Sequence, residues 1–177
     1  IPPVGRSITH TYLKFDLRSI PSGATITHAE LQLYIYAVAP LIGGAKGGIG
    51  VHFVSDDTWS ETGITWNNAP SFNPTPTDVN TNVNNIGWIS WDVTSDVQNE
   101  YVGDKVVSWC LKAENEGQSG WNNLYSKEGP SGYHPRLIIT YSFAIPEFPV
   151  MTYLLVVGLT PALLLVSRKL MASASRP

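Results

Sequence analysis

Alternation of apolar and polar residues constrains this chain more than any other feature. In Thr11–Leu17, Leu13, Phe15 and Leu17 fall on one side of an extended chain, and Tyr12, Lys14 and Asp16 on the other. In Thr27–Val38, Leu31, Leu33 and Ile35 oppose Gln32, Tyr34 and Tyr36. A period of two gives a strand with one buried face; it cannot line up an apolar stripe on a helix. The pattern returns at Gly50–Ser55 (Val51, Phe53) and Lys105–Lys112 (Val107, Trp109, Leu111). In Ile86–Val93 it turns Ile89, Trp91 and Val93 inward and Trp88, Ser90 and Asp92 outward. Asn122–Lys127 and Arg136–Tyr141 complete the series, with Pro21-Ser22-Gly23 as a turn and Gly43–Gly50 as a glycine-rich loop.

One short helix interrupts the strands. Ser95-Asp96-Val97-Gln98 has capping-box spacing, Asp96 suits a positive helix start, and Gly103 can take the left-handed conformation that stops a helix. This predicts a helix over Asp96–Val102. Seven or eight strands without a strand–helix–strand rhythm predict an all-β fold over residues 1–143. Its expected form is a two-sheet antiparallel, jelly-roll-like sandwich.

The C-terminus reads differently. Phe148–Val166 is 19 residues without a charge, about 28 Å as a helix, close to a hydrocarbon core of roughly 30 Å. Arg168 and Lys169 follow, which directs that end to the cytoplasm. The expected organisation is an outer sandwich, a proline-marked linker at 144–149, a single transmembrane helix at 150–167 and a basic cytoplasmic tail at 168–177. Ile1-Pro2-Pro3-Val4 has no export signal. The expectation is therefore that the numbered chain begins part-way through a longer protein or after processing, and that upstream sequence adds a strand.

Charge narrows the function. Eight basic residues face 13 acidic ones before Glu147, with no basic cluster; nucleic acid, which needs a basic stripe, is not an expected partner. A single cysteine excludes an internal disulfide framework and a paired-cysteine zinc site. No histidine cluster is legible, and no metal site or cofactor is assigned. Asp78-Val-Asn80-Thr-Asn82-Val-Asn84 spaces oxygen side chains at every second residue, but lacks the glycine and terminal glutamate of a calcium loop. It reads as a solvated loop, with a structural calcium left open elsewhere. Asp16, Asp56, Asp57, Glu61, Asp92 and Glu128 are the carboxylates that a glycosidase pair would draw on; turn and cap roles account for them.

Outward aromatics give the sharper functional signal. Tyr34 and Tyr36 share one strand face, and a neighbouring strand is expected to add Tyr12 and Lys14. Trp88, on the polar side of its strand, and Trp121, in a Gly-Trp-Asn-Asn loop, are further candidates. Aromatic rings stack on the apolar face of a sugar and can hydrogen-bond at their polar tips, and a lysine pairs with a uronate as a point charge.

Four segments in order, Tyr12–Ile26, Trp59–Pro70, Trp91–Thr94, and Tyr125–Gly129 followed by Pro135–Tyr141, resemble the DNRLRE (disaggregatase-related) domain, which overlaps carbohydrate-binding module family 96. The resemblance implies a jelly-roll sandwich displayed on bacterial or archaeal surfaces, often beside polysaccharide-active enzymes. It implies that Trp59–Trp66 packs under the sandwich as a structural loop, and that a first strand region precedes this chain. Pro146, Glu147 and Phe148, then the apolar span, then Arg168 and Lys169, are similar to a PEF-type C-terminal sorting signal, which implies an archaeosortase-type processing enzyme. The expected function is non-catalytic binding of envelope or extracellular polysaccharide at the cell surface. An adhesion module without sugar binding and a polysaccharide-cleaving enzyme are the alternatives.

Overall fold

The computed structural model describes residues 8–144. Among them run eight strands and one helix: β1 (Thr11–Asp16), β2 (Thr25–Val38), β3 (Ile49–Val54), β4 (Asp78–Asn80), β5 (Gly87–Asp92), α1 (Thr94–Val102), β6 (Val106–Ala113), β7 (Asn122–Leu124) and β8 (Arg136–Ser142). The pairings are antiparallel and form two sheets. The first has the order β1-β6-β3-β4. The second is organised around β2, with β5 on one edge and β8 and β7 sharing the other.

The alternation read from the sequence sets the core. Leu31, Leu33, Ile35, Ile89 and Trp91 of the second sheet meet Val51, Val107, Trp109 and Leu111 of the first, all buried. Removing such side chains from water is the main drive to fold, about 1.5–3 kcal/mol each. The indole N–H groups of the core are satisfied. Trp91 Nε1 donates to Ile49 O across the sandwich at 2.7 Å, and Trp109 Nε1 donates to Asp96 Oδ2 of α1 at 2.8 Å. A register shift in β2 between Ile26 and His28 lets Ile26 and Ala29 both turn inward, which strict alternation forbids.

Several local expectations are corrected. The helix starts at Thr94, and its N-cap Val93 makes no side-chain capping bond. Thr94 is instead fastened to Asp92 Oδ1 through both its N–H and its hydroxyl, while Gln98 reaches Ile26 O. Gly103 is not left-handed (φ −80°); Lys105 is, at φ 67°, with its N–H on Glu100 O. Asp78–Asn80, read as loop, forms the edge strand β4 on β3. Side-chain oxygens of the asparagine run are taken up by backbone N–H groups. Asp78 Oδ2 accepts Asp92 N–H, Asn80 Oδ1 accepts Asn82 N–H, and Asn84 Oδ1 accepts Gly44 N–H. The span expected at 150–167 and the motif around Pro146 lie outside the described residues, as do Arg168 and Lys169.

Candidate functional site

The two sheets treat their outer faces differently. On the first, the long segment between β3 and β4, residues 55–77, folds back over the strands. Tyr12 donates its hydroxyl to Pro70 O (2.9 Å), and Lys14 Nζ donates to the carbonyls of Asp57 and Trp59 (2.7 and 2.6 Å). His52 is fully buried between Asn73 O and Glu114 Oε1, at 2.8 Å from each. The bond to His52, with Lys112 alongside, holds the Glu114 carboxyl below its ordinary value despite desolvation, the largest single influence, which pushes the other way. Burial pushes the Tyr12 phenol up to about 12 and the Cys110 thiol up to about 11.

Among the described residues no comparable segment covers the second sheet. Register sets Tyr34 opposite Trp88 and Gln32 opposite Arg136, and the Tyr125 N–H bonds to Tyr34 O at 3.0 Å. A cross-strand aromatic cluster results. Tyr34 meets Trp88 edge-on at 5.4 Å, Tyr133 at 4.5 Å and Tyr125 at 6.1 Å, and Tyr36 stacks on Tyr125 at 4.4 Å with 23° between the planes. Such pairs add about 0.5–1.5 kcal/mol beyond burial, so the rings hold one another in place before any ligand arrives. The Arg136 guanidinium lies 3.9 Å over the Trp88 ring and donates from Nε to Gln32 Oε1 at 2.7 Å. No carboxylate pairs with it among the described residues. Gly129 is needed here, because a Cβ on it would come within 2.9 Å of Tyr125 Cδ1 as the β7–β8 loop turns back.

Tyr36 and Tyr133 are the outermost rings, 41% and 39% exposed. They offer partly open aromatic surface and two hydroxyls beside a planar cation. That set can stack a pyranose, hydrogen-bond its hydroxyls and meet a carboxylate with paired N–H donors. The profile of carbohydrate-binding module family 96 matches residues 4–141. The chain belongs to that family. A search of curated proteins found no match.

The module places the residues singled out from the sequence in three locations. Tyr34, Tyr36 and Trp88 come together on the open face. Tyr34 is its half-buried pillar rather than its surface, and Trp88 is roofed by Arg136. Tyr12 and Lys14 are not on a strand neighbouring β2: β1 pairs with β6 in the other sheet, and loop carbonyls engage both side chains, although both residues line one hollow of about 860 Å³ with Tyr36 and Tyr125. Trp121 stands apart at 45% exposure in the approach to β7, lining a hollow with Ile8 and Ile42. Trp66, expected to pack beneath the sandwich, is 65% exposed.

Sequence reasoning missed Tyr125, Tyr133 and Arg136 as members of the open face. Tyr125 and Arg136 were visible only as parts of a family segment, and Tyr133 lies in a turn with no periodicity to orient it. Asp57 has a buried Oδ1 without a hydrogen-bond partner among the described residues; the other candidate carboxylates resolve into turns and surface pairs. Asp16, Asp56 and Asp92 each accept a backbone N–H two residues on. The Thr58 and Thr94 hydroxyls, followed by their N–H groups, pull the Asp56 and Asp92 carboxyls below the usual range. Glu61 and Glu128 share Lys127.

Proposed function

We propose that this module is non-catalytic and holds an acidic polysaccharide on the open face of the second sheet. Tyr36 and Tyr133 supply the stacking surface, and Arg136 meets a uronate carboxylate. The observation that carries this reading is the continuous aromatic cluster around Tyr34 with an exposed arginine that has no acidic partner among the described residues. Arg136 is stiffened by Trp88 and Gln32, so less side-chain freedom is lost on binding. The proposed setting is a cell surface, reached through the apolar span and tail expected from the sequence; the PEF-like residues and an archaeosortase-type enzyme belong to the same proposal.

The test is retention of the full chain, in a detergent without a sugar headgroup, on immobilised polygalacturonate and on neutral polysaccharides. Retention on polygalacturonate that falls at least tenfold in Tyr36→Ala/Tyr133→Ala, with a cooperative unfolding transition retained, supports the reading. Equal retention of the double variant on every polymer refutes it. A specific feature favours an adhesion role as second reading: among the described residues β1 pairs only with β6, so one side of it is open to strand addition. Self-association of the chain without any glycan response would select that alternative.

A further inference from the structure

Residues 55–77 do more than cover the first sheet. Ser60 O receives the N–H groups of Gly63 and Ile64, and Asn68 returns its amide to Thr65 N–H, the Thr65 hydroxyl and Gly63 O. These bonds fix the tip of the segment, while Tyr12, Lys14 and His52 tie it to the sheet. The segment carries Trp66 outward, 65% exposed, with His10 against the indole at 5.0 Å and 36°. Below Trp66 opens a cavity of about 510 Å³ whose walls include Trp59, Thr65, Pro70 and Phe72, a size ordinary for a small-ligand site. The buried indole N–H of Trp59 has no acceptor among the described residues.

The electrostatics differ from those of the open face. No lysine or arginine lines this cavity, and its carboxylate is Glu61, held by Lys127 at 2.7 Å. His10, the other ionisable wall group that could carry positive charge, is engaged with Glu116 Oε1 at 2.6 Å. An anionic sugar would meet a carboxylate and find no free cation. A neutral pyranose would stack its apolar face on the indole and reach hydroxyls and carbonyls of the pinned loop.

We infer a second saccharide subsite, for a neutral pyranose, in the cavity beneath Trp66 on the loop-covered side of the sandwich. The inference rests on the carbohydrate-binding reading above but not on its choice of face. The module would then be bivalent, with an arginine-bearing face for uronate and an arginine-free pocket for neutral sugar on opposite sheets. One molecule could bridge two chains, and avidity would follow from geometry rather than from stronger contacts.

Hydroxyl-radical footprinting of the full chain, read peptide by peptide, separates the two sites. The probes are cellohexaose, mannohexaose and N-acetylchitohexaose on one side and hexagalacturonate on the other. The inference requires at least one neutral hexasaccharide to slow oxidation of the Trp66 peptide at least fivefold while hexagalacturonate leaves it unchanged. It also requires Trp66→Ala, a substitution at an exposed position, to lower affinity for that sugar at least tenfold. Protection at Tyr36 and Tyr133 with none at Trp66 overturns this inference and leaves the open-face reading standing. Protection at Trp66 alone supports the inference and overturns that reading. No protection anywhere overturns both. If the variant fails to fold, the footprint on the unaltered chain still decides.

Discussion

The outer faces of the two sheets begin from the same kind of sequence. Both alternate apolar with polar or aromatic residues, and both turn tyrosines outward: Tyr12 on the first sheet, Tyr34 and Tyr36 on the second. On the first sheet a long loop descends on them. Tyr12 becomes a donor to a loop carbonyl, Cys110 and Ser108 lose all contact with solvent, and His52 bonds to both Asn73 and Glu114. On the second sheet no segment of the described residues descends in this way, and the rings pack against one another. An outward position in a strand is therefore not yet a surface position; what crosses above it decides. The loop that takes the first face out of play also sends one of its own aromatics, Trp66, to the surface.

The comparison predicts unequal consequences for equal-looking substitutions. The largest effect should come from His52→Ala, which leaves Asn73 O and Glu114 without their buried donor and opens a hole. The expected loss is about 3 kcal/mol, read as the shift in a urea midpoint. A loss below 1 kcal/mol would mean the loop is not anchored through His52. Tyr36→Ala/Tyr133→Ala should lower the urea midpoint through the lost ring pairs, about 0.5–1.5 kcal/mol each, leave the fold intact, and lower retention on polygalacturonate at least tenfold.

Next comes Arg136. Arg136→Lys keeps the charge but loses the planar fork over Trp88, so it should weaken uronate binding several-fold and leave neutral-sugar binding untouched. Equal weakening for both classes would make the arginine a support for Trp88 instead.

Acid titration gives a smaller signal with a definite sign. The Glu114 carboxyl is held below its ordinary 4.5 in the fold. It therefore contributes stability above that value, lost as pH falls through the lowered folded value. The midpoint should fall on acidification below about 4.5, and Glu114→Gln should flatten that part of the profile. The smallest signal is Cys110. With its thiol pushed up to about 11 and out of solvent, only roughly one in a thousand would be thiolate at pH 8. Iodoacetamide should label it no faster than the protein opens, and fast labelling would show that the loop lifts on its own.

Much of the fold was legible. Leu31, Leu33, Ile35, Ile89, Trp91, Val107, Trp109 and Leu111 could be assigned inward because a strand has only two sides and one of them must leave water. The failures share a cause. The helix start was misread because the Thr94 hydroxyl, besides its local bond to Asp92, accepts from Ala29 N–H, and no local rule anticipates a neighbour brought by the sheet. Tyr12 and Lys14 were placed beside Tyr34 because strands close in sequence were taken to be close in space, whereas β1 pairs with a strand some 95 residues away. Trp66 was expected beneath the sandwich because the family resemblance implied it; the loop's own hydrogen bonds carry it outward instead.

The amino-acid sequence by itself determined the two-sided strands, the all-β class and the absence of a basic stripe, because periodicity and charge are properties of the chain before it folds. Tertiary structure alone decided which tyrosines meet water and which meet a carbonyl. It also gave Tyr125, Tyr133 and Arg136 a shared face with Tyr34. Strand pairing and loop return join residues that sequence distance keeps apart, and no period along one chain records which distant segment will lie across it.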